Sequence, residues 1–195
     1  MDETKFKILC ELGNGYFKLG KLKEAKQNFE KALKENENSV IPYTGLAKIE
    51  LKNRNLKKAE EFLEKAKKIE KQNIDLILTL AELEYLKNNF ENSYELALKV
   101  LENSEDNLEA LSILQKSAYK LNKFDDLEKF LSIQHSKQPS DKSILFALCG
   151  CLYFQDKLEE AKEYLEKLLI IDKDNKEAKD LIEIIDKKIK IKNEV

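Results

Sequence analysis

"ELGNGYFKLGKLKEA", residues 11–25, holds three of the chain's five glycines, Gly13, Gly15 and Gly20. A Gly-x-Gly ahead of a lysine raises the alternative of a phosphate-cradling loop. Such a loop needs a strand before it and a helix N-terminus after it. Here Leu9, Leu12 and Tyr16 recur at helical spacing and mark a buried face through the same residues. Gly13 and Gly15 therefore fall inside a helix, with Gly13 as a small packing position. The turn out of that helix sits near Gly20.

The rest of the chain agrees with a helical reading. Of 195 residues, 42% are hydrophobic and 37% charged, while only five Gly and two Pro punctuate the whole. Strands and tight turns need more breakers, and Lys and Glu are good helix formers, so the expected class is all-α. The net charge of −2 offers no basic excess for phosphates, so nucleic acid is not an expected partner. No apolar run approaches the ~18 residues of a membrane span. The first ten residues, MDETKFKILC, contain no cleavable hydrophobic stretch. Cys10, Cys149 and Cys151 are an odd set, which suits a reducing compartment, so a cytoplasmic location is expected.

Cutting the chain every 34 residues from Phe6 yields repeats 6–39, 40–73, 74–107, 108–141 and 142–175 without insertion or deletion. The seventh place reads Leu12, Leu46, Leu80, Leu114 and Leu148. The eighth is mostly small: Gly13, Ala47, Ala81, Gln115 and Cys149. The twentieth reads Ala25, Ala59, Ser93, Leu127 and Ala161. The last place reads Ser39, Asn73, Asn107, Asp141 and Asn175, all favoured helix N-caps. Each repeat is expected to form a helix A, a turn near Gly20, Arg54, Asn88, Asn122 or Asp156, and a helix B. Pro42 fits the first turn of its helix, where a missing N–H costs little. Residues 176–192 form one more amphipathic helix, with Ala178, Leu181, Ile182, Ile185 and Ile189 inward and Lys179, Glu183, Asp186 and Lys190 outward. The chain reads as a single domain, 1–195, whose N-terminal end leaves Ile8 and Leu19 partly bare.

Chemistry-bearing constellations are sparse. His135, the one histidine, stands where other repeats carry Leu33, Leu101 and Leu169, a half-buried packing place. Zinc needs three or four ligands, which one His and scattered Cys do not supply. Cys149 and Cys151 are two residues apart on a helix and point apart, at small inward places. Glu50 and Glu84 are expected to snorkel to the surface. No catalytic, metal or cofactor site is expected, and the protein is read as not an enzyme.

The pattern resembles the tetratricopeptide repeat family over residues 6–175. Leu9, Leu12, Gly13, Tyr16, Gly20, Ala25, Phe29 and Ala32 match the family signature in place, and Pro139 matches its proline near a repeat's end. Glu50 and Glu84 depart from an aromatic place, and Leu127 with Ala118 exchanges large for small, a volume swap that cores tolerate. The resemblance implies a right-handed superhelical solenoid of five helix-turn-helix units with a C-terminal capping helix. It also implies a peptide-binding concave face built from the A helices. The twelfth place would then carry a ladder of Phe17, Leu51, Tyr85, Tyr119 and Tyr153. Packing and binding both suit such a ladder, and the sequence leaves the two open. Around it, Lys18, Lys48 and Lys52 would make the first two repeats basic, and Asp75, Glu82 and Glu109 the middle acidic. Lys116 and Lys120 would flank Tyr119, and Phe146, Tyr153 and Phe154 would make the fifth repeat apolar. Relatives that clamp a C-terminal carboxylate use basic and asparagine side chains at set places. The first such window here has Cys10, Asn14, Gly45, Asp75 and Thr79, so chaperone-tail binding is not expected. The expected function is a non-enzymatic adaptor that holds a peptide or protein segment in its groove. The alternative is a self-association module, or part of a larger assembly.

Overall fold

The computed structural model describes residues 2–194, and among them it contains eleven α-helices and no strand. They are α1 (Glu3–Lys18), α2 (Leu22–Glu35), α3 (Val40–Lys52), α4 (Leu56–Ile69), α5 (Ile74–Leu86), α6 (Phe90–Asn103), α7 (Leu108–Leu121), α8 (Asp125–Lys137), α9 (Lys142–Phe154), α10 (Leu158–Ile171) and α11 (Lys176–Asn193). Two compact units result, Met1–Val100 and Leu101–Val195, divided within α6. No helix among the described residues is long and apolar enough to cross a membrane.

The repeat period is written into the backbone. Positive φ occurs at Gly20 (73°), Arg54 (62°), Asn88 (64°), Asn122 (54°) and Asp156 (63°), the five turn places read from the sequence. The left-handed residue lets the next amide fold back on the helix end. Lys21 N–H donates to the Tyr16 carbonyl at 2.9 Å, Asn55 to Glu50 at 2.9 Å, Asn89 to Glu84 at 2.9 Å and Lys157 to Leu152 at 3.0 Å. These bonds satisfy carbonyls that a helix terminus otherwise leaves orphaned. Glycine takes this conformation freely and Asn or Asp tolerates it, whereas Arg54 meets the full Cβ penalty.

Four of the five boundary residues cap as expected. Asn73, Asn107 and Asn175 each accept from the amide three residues on, at 3.2, 2.9 and 2.9 Å. Asp141 accepts from Ser143 at 2.8 Å and Ile144 at 3.2 Å. Ser39 stands at the N-cap of α3 but makes no side-chain cap bond. The residue three on is Pro42, which has no N–H to give.

In the N-terminal unit, Phe29 is fully buried between α1 and α3. A Cβ at Gly13 would sit 2.6 Å from its ring, and one at Gly45 would also clash with it. Ala25 and Ala32 on the same helix are fully buried, so α2 seats closely in both directions. In the C-terminal unit, Leu145, Ala161, Leu165, Ala178 and Ile185 are each at 0% exposure and join α9, α10 and α11 in one core. Leu181, Ile182 and Ile189 pack against it, so α11 covers the fifth repeat. The exchange of Leu127 and Ala118 leaves both fully buried.

Several expectations change. Leu12 is 44% exposed rather than buried, while Ile8 and Leu19 are bare as expected. Leu80, the counterpart of the buried Leu46 and Leu114, is only half-buried and lines a hollow with Ile77 and Leu96. Asp186 does not face outward alone but pairs with Lys162 at 2.7 Å. Glu50 does not snorkel. It is 3% exposed and accepts from Lys26 Nζ at 3.0 Å and Asn55 Nδ2 at 3.0 Å. Burial pushes its carboxyl up, but the bonds from Asn55 and Lys26 outweigh this and hold it below the usual 4.5. Glu84 repeats half of the arrangement, accepting from Asn89 at 2.8 Å. His135 packs edge-on to Tyr164 at 5.4 Å between ring centroids.

Two outcomes follow from these contacts. Arg54→Gly should raise the unfolding free energy by ~0.5–1 kcal/mol, the relieved Cβ penalty being partly offset by a freer unfolded chain; urea denaturation reads it directly. Glu50→Gln should cost ~1–3 kcal/mol at neutral pH, because a charged acceptor for two donors is lost. Glu50 has a lowered folded pKa, so its contribution is complete above pH 4.5 and is lost as pH falls through the folded value. The stability gap between wild type and Glu50→Gln should therefore close on acidification. A gap that stays constant to low pH would show that charge is not its source.

Candidate functional site

The aromatic residues of the C-terminal unit come together because three A-type surfaces adjoin there. Tyr119 rises from α7, Phe146 and Gly150 from α9, and Glu177 from the first turn of α11. They line a pocket of about 570 Å³ with Gln115, Lys142, Ser143, Ala147, Leu168 and Asn175. Its floor is apolar. Its rim carries both signs: Lys142, which reaches Asp172 at 3.1 Å, and Glu177.

Tyr119 is held rather than free. Its ring meets Phe124 edge-on at 5.3 Å and Phe154 at 5.4 Å, and Phe124 stacks on Phe154 at 5.6 Å. Its hydroxyl lies over Gly150, where an added Cβ would come within 2.5 Å. Burial, with the Cys151 and Cys149 thiols beside it, pushes the phenol up to about 12, so it stays a neutral donor. Phe154 is 58% exposed at the edge of this cluster. Tyr153 meets Phe154 edge-on at 5.6 Å, packs against the core and carries Lys188 of α11 over its ring at 4.5 Å. Lys116 and Lys120 are exposed on α7. Cys149 and Cys151 are buried free thiols, each pushed up to about 11 by burial, and so are poor nucleophiles at neutral pH.

The N-terminal unit offers a different surface. Phe17 packs against the core around Phe29, and Leu51 is itself core at 3% exposure. Tyr85 is half-buried against Phe90 at 5.4 Å. Lys48 is paired with Asp75, so the expected basic and acidic patches partly cancel there. Lys18 and Lys52 are exposed, and Glu82 is half-buried.

Lys142 and Glu177 are pocket residues that the sequence reading did not single out, and Asn175 enters that reading only as a helix cap. A signal was available for Glu177. Continuing the 34-residue register past Asn175 makes α11 a sixth A helix with Glu177 at its second place, the place of Asp75 and Glu109.

A tetratricopeptide-repeat family model matches residues 16–80. The solved structure of pilF from Pseudomonas aeruginosa superposes with a TM-score of 0.73 at 18% identity, covering 87% of this chain and 77% of that one. YrrB, described as a TPR protein with an unusual peptide-binding site, gives 0.67 at 18% identity, over 87% of this chain and 88% of its own. TTC0263, a thermophilic TPR protein of Thermus thermophilus, gives 0.62 at 18% identity, over 92% and 98%. At such identities the likeness is one of fold. No curated protein matches the chain.

The contacts of Tyr119 set its mutational behaviour apart from that of Phe154. Tyr119→Ala should cost ~2–3 kcal/mol, from lost burial and lost edge contacts. Phe154→Ala should cost ~1 kcal/mol or less. Denaturant unfolding of both variants checks this, and equal costs would place both rings in the same environment.

Proposed function

We propose that this chain, a tetratricopeptide-repeat protein, is a non-enzymatic interaction scaffold that holds a peptide or protein segment against the A-type surfaces of α7, α9 and α11. What carries this reading is the pocket they line: an apolar floor of Phe146 and the Tyr119 ring, with Lys142 and Glu177 at its rim. Peptide sites combine apolar anchors for side chains with a few polar groups that set orientation. The ligand chemistry that fits is an apolar anchor residue flanked by polar or charged ones. Lys116 and Lys120, on α7 of the same unit, would add further contacts along a longer segment. We read residues 1–195 as one array of five repeats with a capping helix, working in the cytoplasm. The net charge of −2 and the interleaved carboxylates favour protein over nucleic acid. Among the described residues, no group of three or more His, Cys, Asp or Glu could hold a metal ion.

Peptide display on the full chain, followed by affinity measurements, tests the site. Phe146→Ala should weaken selected peptides by about 2 kcal/mol, roughly 30-fold, as for an aromatic anchor. Lys52→Ala, on α3, should change their affinity little. Peptides that bind Phe146→Ala as tightly as wild type would move the site elsewhere.

A further inference from the structure

The outer face of α1 is built like an interior surface, yet its apolar side chains are exposed. Ile8 is 50% exposed, Leu12 44% and Leu19 72%. With Glu11, Gly15 and Tyr16 they line a hollow of about 430 Å³. Counterparts in later repeats are mostly buried: Leu46 at 1%, Leu114 at 0% and Leu148 at 1% correspond to Leu12, with Leu80 half-buried, and Leu76 and Ala110 at 0% correspond to Ile8, with Ile144 half-buried. Contiguous exposed apolar side chains of this kind mark interaction surfaces.

Gly15 points the same way. A Cβ placed there would meet nothing within 4 Å, whereas one at Gly13 would strike Phe29. Glycine weakens a helix interior relative to alanine, and no contact inside the chain requires one at this position. The requirement fits a close approach from outside.

The spacing says what approaches. Ile8, Leu12, Gly15 and Leu19 are separated by four, three and four residues, a pattern that reads the same in both directions. Two copies of α1 laid antiparallel about a twofold axis between Gly13 and Asn14 set Leu12 of each against Gly15 of the other. Ile8 then meets Leu19, so large meets small at the centre and large meets large at the ends. On one flank, Glu11 of each copy comes beside Lys18 of the other. Both are exposed, and among the described residues neither makes an ion pair. Self-complementarity of this sort is what an isologous contact needs. We propose that α1 is the seam of an antiparallel homodimer, centred on reciprocal Leu12–Gly15 packing and flanked by reciprocal Glu11–Lys18 pairs. One helix face is smaller than a standard interface of ~1,600 Å², so the dimer should be weak, with a dissociation constant on the order of micromolar.

Sedimentation velocity on the full chain from about 1 to 500 μM spans that range. Wild type should shift from monomer to dimer with concentration. Gly15→Ala should melt higher, as the better helix former, yet associate at least about 10-fold more weakly. Glu11→Lys should also weaken the dimer, and Glu11→Lys combined with Lys18→Glu should restore it, because the charges are exchanged rather than removed. Circular dichroism confirms that each variant is folded. A wild type that stays monomeric throughout overturns the proposal, whatever else covers the stripe. So does an association that survives both Gly15→Leu and Leu12→Arg, or a charge exchange that restores nothing.

Discussion

The close seating of one helix against the next is the constraint from which the rest follows. A helix pair of this size cannot bury its apolar face alone and must pack against its neighbours. Phe29 shows how the N-terminal unit does this. Its ring occupies space that side chains at Gly13 and Gly45 would fill, so one residue of α2 keys into α1 and α3 at once. Alanines at Ala25 and Ala32 keep the backbone of α2 low enough for that insertion. The left-handed residue at the end of each A helix then turns the chain within three residues, and helix B returns at the necessary angle.

Where this seating loosens, the structure acquires its most distinctive surface. In the fourth repeat Leu127 replaces the small residue of helix B, and α7 and α8 pack less closely than α1 and α2 or α3 and α4. Phe124, in the turn between α7 and α8, meets Tyr119 and Phe154 there as an aromatic cluster. Glycine at position 150 leaves room for the Tyr119 hydroxyl and keeps the pocket beside Phe146 open. The residues most suited to a ligand are therefore also partly structural, and the ladder is neither wholly surface nor wholly core.

Glu50 illustrates why a residue taken singly can mislead. A carboxylate at a place that favours aromatics suggests escape to solvent. Its partners are Lys26, on the preceding helix B, and Asn55, in its own turn. Packing α2 against α3 delivers the lysine, so the charge is tolerable only in the assembled fold. The Ser39 cap fails for a more local reason: Pro42 withholds the amide that the cap would take.

The sequence by itself determined the helical class, the 34-residue period, every left-handed turn position and four of five boundary caps, since each depends on a few consecutive residues and their backbone preferences. Tertiary structure alone decided that Leu12 is bare while Leu46 is buried, and that Leu80 is only half covered, although all three hold the same place in their repeats. It also decided that Tyr119 is pinned and that Lys142 and Glu177 share its pocket. Exposure and pocket membership are properties of what neighbouring helices cover, and a repeat pattern specifies each helix without specifying that cover.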